Sequence, residues 1–147
     1  MHRRMFMASA AALIVPGIGD EATAGEAHRL ALQVSDADPA KMSSVLNIAA
    51  NVSRFYGAKA EEIDIVVVAF DGGVAMLRDD VSPVGERVRR FIKSMPNVTF
   101  KACGNTLDTL AAKEGRRPPL IAGITVVPAG VAELIDLAEH GWTVVRP

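Results

Sequence analysis

The chain has 147 residues, half of them hydrophobic and 22% charged, which suits one domain with a real core rather than a disordered polymer. Sixteen basic and 17 acidic side chains are mixed along it and leave a formal net charge of −1. That balance gives no electrostatic basis for binding nucleic acid or an anionic membrane surface. The single cysteine, Cys103, excludes an intramolecular disulfide, so stability must come from packing.

The first segment reads as an export leader rather than as part of the fold. Arg3 and Arg4 form a basic start, an apolar run extends from Ala8 to Val15, and Pro16-Gly17 breaks it. Ala22-Thr23-Ala24 supplies the small-x-small pattern that a signal peptidase accepts, so cleavage is expected after Ala24 and the product in the periplasm. Arg3-Arg4-Met5-Phe6-Met7 resembles the core of a twin-arginine signal. The apolar run is far short of the ~20 residues that span a bilayer, so no stable membrane insertion is expected after cleavage. Residues 25–147 are then the folded domain.

From Gly25 onward apolar strands alternate with amphipathic helices. Leu30 to Val34 reads as a first strand, and Asp38-Pro39 as the cap and first residue of a helix, since proline there forfeits no hydrogen bond. Met42, Val45, Ala49, Val52 and Tyr56 form the helix's buried stripe, and Gly57 closes it. Ile63 to Phe70 is almost wholly apolar and β-branched, the pattern of a central parallel strand covered on both faces. Asp71-Gly72-Gly73 and a short apolar turn follow. Ser82-Pro83 repeats the cap-then-proline start, with Val84, Val88, Phe91 and Met95 as the stripe of a second helix. Val98 to Cys103 is a third strand, and Gly104-Asn105-Thr106 opens a third helix. Ile124 to Val127 is a fourth strand, and the stripe of a fourth helix is Val131, Leu134, Ile135 and Ala138. Trp142 to Arg146 makes the last strand. This alternation implies an α/β three-layer sandwich with a mostly parallel five-stranded sheet, in which ligands gather at the carboxyl ends of the strands. Four loops lie there, starting at Ser35, Asp71, Cys103 and Pro128.

Cys103 stands where a strand ends and a helix begins, and a thiolate there faces the positive end of a helix dipole. Such a thiol can accept or pass sulfur, although free cysteines also serve commonly as small buried hydrophobes. Asp36 and Asp38 could hold a divalent cation, but an Asx-turn with an N-cap explains them more simply, and no metal or cofactor is expected. Asn47 and Asn51 lie one turn apart on the first helix. No GxGxxG or GxxxxGK[ST] occurs, so nucleotide binding has no motif behind it. His2, His28 and His140 pair with no nucleophile in sequence.

Several blocks in order resemble the DsrE-like family. They are Val34-Ser35-Asp36-Ala37-Asp38-Pro39, Leu46-Asn47-Ile48-Ala49-Ala50-Asn51, Phe100-Lys101-Ala102-Cys103-Gly104-Asn105-Thr106 and Val127-Pro128-Ala129-Gly130-Val131-Ala132-Glu133-Leu134, with Gly141 to Pro147 at the end. The resemblance implies a flavodoxin-like sandwich that assembles as a homo-oligomer. In the better understood members a cysteine at the end of a middle strand carries sulfur as a persulfide between partner proteins, and Cys103 falls at the matching place. Two differences accompany the match. Similar relatives have Gly-Pro-Gly where this chain has Asp71-Gly72-Gly73, and the sulfur-relay members lack the Cys-Gly-Asn-Thr setting, so the relay carries over by position. Two readings follow. In one, the exported protein is a sulfur carrier or sulfurtransferase-like protein using Cys103, with a sulfur donor or acceptor protein as partner. In the other it is a non-catalytic oligomeric binding or structural protein with a buried Cys103. The binding residues implied alongside Cys103 are Ser35, Asp36, Asn51, Gly104, Asn105 and Thr106.

Overall fold

The computed structural model describes residues 25–147, so the leader and its cleavage after Ala24 lie outside the described residues. The chain runs β1 (His28–Val34), α1 (Pro39–Gly57), β2 (Ile63–Ala69), a 3-10 helix (Asp71–Leu77), α2 (Gly85–Ser94), β3 (Val98–Cys103), α3 (Gly104–Glu114), β4 (Thr125–Val127), α4 (Gly130–Glu139) and β5 (Thr143–Val145). At the start of α1 expectation and structure agree. The Asp38 carboxylate accepts the Ala40 amide hydrogen at 2.8 Å, and α1 starts at Pro39.

The second helix starts later than Ser82-Pro83 suggests. The Ser82 hydroxyl donates to the Met76 carbonyl at 2.5 Å and accepts from the Val84 amide at 3.3 Å, which ties the serine to the end of the 3-10 helix. The chain turns once more, and α2 begins at Gly85 with Val88 and Phe91 inward as its stripe requires.

All the strand pairings are parallel, in the order β4-β3-β2-β1-β5. The five-stranded parallel sheet with helices on both faces is the α/β flavodoxin-like arrangement expected from the sequence. β1 to β4 step across the sheet in one direction, and the connection through α4 returns to place β5 beside β1. Right-handed crossovers therefore put α1, α2 and α3 on one face and α4 on the other. The first face holds the main core, with Leu32, Ile65, Val67, Phe100, Met42, Leu46 and Leu107 almost fully buried. The second is smaller: Ala31, Val66 and Val68 of the sheet meet Leu134 and Leu137 of α4.

That second layer corrects the expected stripe of α4. Leu134 and Leu137 face the sheet, while Val131 and Ile135 are more than half exposed. The helix is apolar on two sides, so periodicity alone does not say which side turns inward.

The topology also makes a crevice. α3 leaves β3 toward one face and α4 leaves the neighbouring β4 toward the other, and where adjacent connections diverge in this way the carboxyl ends of an open sheet leave room for a ligand.

Candidate functional site

Cys103 is the last residue of β3 and the N-cap of α3, with extended backbone (φ −70°, ψ 116°). Its position places the sulfur against the first turn of α3, whose opening amides lack partners inside the helix. The start of α4 closes in from the other side. The Gly130 amide donates to Cys103 Sγ at 3.2 Å, and the Asn105 amide donates to the Pro128 carbonyl at 3.1 Å. The two junctions are thus stitched together across the crevice. A Cβ on residue 130 would lie 3.0 Å from Phe70 Cβ and 3.3 Å from Cys103 Cβ, so glycine is what lets this amide approach.

Burial by itself would push the Cys103 thiol up. The Thr106 hydroxyl, then the amides of Thr106, Gly130 and Asn105, outweigh it and hold the thiol below its ordinary value. Cys103 is only 5% exposed, yet it forms part of the wall of an open cavity of about 550 Å3. Phe70, Leu110 and Val131 give this cavity apolar walls; Asp71, Thr106 and Lys113 give it polar ones. A small sulfur species can enter such a cavity, and the sulfur faces amide hydrogens that favour its anionic form.

The residues expected to bind are only partly brought together. Asn105 and Thr106 line the cavity with Cys103, and Gly104 is buried at the junction that connects them. Ser35 and Asp36 lie at the end of β1 beside a separate small cleft, where Asp36 pairs with Lys41 at 2.5 Å and with Arg146 at 3.5 Å. The Lys41 hydrogen bond holds the Asp36 carboxyl below its usual value, and the pair with Arg146 tethers the C-terminus. The Ser35 loop reaches the cavity indirectly, by packing its backbone behind Gly72 and Gly73. Asn51 is exposed on α1 and accepts from Arg54 at 2.9 Å.

His28 and His140 lie elsewhere, and His2 falls outside the described residues. His28 stacks on Tyr56 with ring centroids 3.9 Å apart, and His140 contacts the Asp136 carbonyl at the end of α4. Among the described residues no group of three His, Cys, Asp or Glu is placed to hold a metal ion.

Two contributors were not singled out as site residues in the sequence. Gly130 needed the β3–β4 pairing to show that its amide meets the sulfur. Asp71 enters the cavity in a left-handed conformation, and its amide donates to Thr106 Oγ1 at 3.0 Å. The signal that could have found both was their place in loops at the carboxyl ends of strands.

The comparisons with known proteins agree with this architecture. A search of curated protein sequences finds no match. Among solved structures the chain is similar to a protein of unknown function, MTH1491 from Methanobacterium thermoautotrophicum, at 28% identity and a TM-score of 0.69, covering 82% of this chain and 99% of that one. The profile of the DsrE/DsrF-like family matches residues 17–147, and the chain belongs to that family.

Proposed function

We propose that this protein carries sulfur on Cys103 as a persulfide. The observation behind the reading is the amide of Gly130 donated to a sulfur that lines an open cavity. A thiolate in that position attacks the terminal sulfur of a persulfide or polysulfide donor. The bond from Cys103 Sγ to the terminal sulfur forms as the donor's S–S bond breaks, and the donor leaves as its thiolate, which the cavity's amide hydrogens and Lys113 favour. No net oxidation is needed, because the sulfane sulfur only changes owner. Transfer onward is the same exchange with an acceptor thiolate attacking the outer sulfur.

Intact mass of the purified protein after polysulfide treatment tests this. We expect whole sulfur atoms added to the native chain and none to Cys103→Ser, whose fold is retained because the change is nearly isosteric. An unmodified native chain, or equal uptake by the variant, would sink the carrier reading. The competing reading of a non-catalytic binding protein draws on the low exposure of Cys103. It predicts a thiol that resists labelling until the protein is unfolded.

The same proposal places the protein in the periplasm as a homo-oligomer. The leader motifs support the location. The exposed Val131 and Ile135, on the only helix that covers this sheet face among the described residues, support assembly. Protein recovered from the periplasm should begin at Gly25 by N-terminal sequencing and scatter light as a multimer at micromolar concentration. A chain beginning at Met1, or a monomer mass, would overturn the corresponding part.

A further inference from the structure

The cavity at Cys103 is a trough laid along one face of α3. Thr106, Leu110 and Lys113 all line it, at spacings of four and three residues that bring them to one side of the helix. Lys113 stands in the last turn, so the trough follows the helix for about 15 Å beyond the thiol, at the usual rise per residue. Phe70 and Val131 line it as well, and with Leu110 they give it apolar sides.

The two charges on its rim are set apart. Asp71 belongs to the thiol half, because its amide donates to Thr106 Oγ1 at 3.0 Å, in the first turn of α3. Lys113 belongs to the far half. The other charged side chains of α3, Asp108 and Glu114, are taken up by Arg117 and Arg78. Among the described residues the Lys113 ammonium and the Asp71 carboxylate have no such partner, although both line the cavity. A ligand carboxylate close to its sulfur therefore meets Asp71 and is repelled, whereas one several bonds further out meets Lys113 and is held. Size and access narrow the class again. A cavity of about 550 Å3 suits a small molecule, and Cys103, only 5% exposed, is reached by a sulfur on a narrow arm.

We propose that the trough takes a small peptide-type persulfide whose carboxylate is remote from its sulfur, with Lys113 as the residue that selects it. This rests on the carrier reading of Cys103 and names the donor class for it. The exchange balances as before: the donor's S–S bond breaks as the bond to Cys103 Sγ forms. The outer sulfur keeps its hydrogen, and the peptide thiolate leaves with the electron pair. Lys113 pairs with the carboxylate before and after the exchange, so it acts on binding and takes no part in the bond changes. A lysine in the last turn also complements the helix dipole, a role that leaves no trace in ligand competition.

The experiment is protection of Cys103 from iodoacetamide in the whole chain by S-methylglutathione, which has the peptide body and remote carboxylates but no sulfur to transfer. Each variant's unprotected rate is its own reference, so a change in the thiol itself cancels. We expect saturable protection of the native chain. Lys113→Gln should raise the half-protecting concentration by about two- to fivefold, the worth of an exposed ion pair, and Lys113→Arg should stay close to native. Methylthioacetate, whose carboxylate sits next to its sulfur, should protect less well, and Asp71→Asn should narrow that difference. No protection of the native chain, or protection indifferent to Lys113→Gln, overturns the proposal and points to a protein donor. Should the folded thiol resist iodoacetamide, calorimetric titration with S-methylglutathione reads the same ratio between native and Lys113→Gln chains. Sulfur uptake from polysulfide is followed separately by mass. Protection as expected in a chain that takes up no sulfur would support this site and overturn the carrier function, and uptake without protection would do the reverse.

Discussion

Gly73→Ala should destabilise the domain by about 3 kcal/mol or more, a large part of the ~5–15 kcal/mol that holds a typical domain together. A Cβ on Gly73 would lie 2.0 Å from the Val34 carbonyl oxygen, 2.4 Å from its carbon and 2.9 Å from the Ser35 nitrogen. These are backbone atoms at the end of β1, which cannot turn aside as a flexible side chain could. The same Val34 oxygen accepts the Phe70 amide at 3.0 Å, so the added methyl group also displaces a buried hydrogen bond. The loop after β2 would have to lift from the end of β1, carrying Asp71 away from Thr106. Urea unfolding measures the cost as a fall in midpoint at unchanged slope. Gly57→Ala is the control: nothing lies within 4 Å of its Cβ position, and alanine favours the helix by up to about 1 kcal/mol. Equal midpoints for the two variants would show that the close approach at Gly73 is relieved cheaply.

The same two glycines mark the limit of what the sequence discloses. Gly73 is visible as part of a glycine-rich loop, but the reason for glycine is the end of β1, nearly 40 residues earlier. Features governed by neighbours along the chain are legible: the cap at Asp38, proline at the first turn of α1, the all-apolar β2, and a cysteine between strand and helix. Features governed by strand order are not. Placing β5 beside β1 decides that α4 lies on its own face, and so decides that Gly130 meets Cys103 and that Val131 and Ile135 stay exposed. Asp36 and Asp71 look alike in the sequence, each an aspartate just past an apolar strand. Only packing separates them: Asp36 is taken up by Lys41 and Arg146, whereas Asp71 turns its amide to the helix that holds the thiol. The later start of α2 has the same character, since Ser82 is claimed by the Met76 carbonyl of the preceding 3-10 helix.

Gly130→Ala should weaken the hold on the thiolate while leaving most of the fold in place. The added methyl group would crowd Phe70 at 3.0–3.2 Å and the Cys103 Cβ at 3.3 Å, so α4 must shift by a few tenths of an ångström, and the 3.2 Å bond from the Gly130 amide to Sγ lengthens first. Loss of a hydrogen bond to a charged group should raise the thiol and slow alkylation at neutral pH by about tenfold. In denaturant both chains should alkylate alike, with the free-thiol value of ~8.5, which separates a changed site from an unfolded one. A thiol whose folded value is depressed adds stability that is fully present above the unfolded value and is lost as pH falls through the folded one. The native chain should therefore gain stability over Gly130→Ala as pH rises from its own folded value to the variant's raised one, and the gap should then level off, since the unfolded thiol is common to both. A gap independent of pH would mean that the methyl group acts only through packing, and that the Gly130 amide does not select the anion.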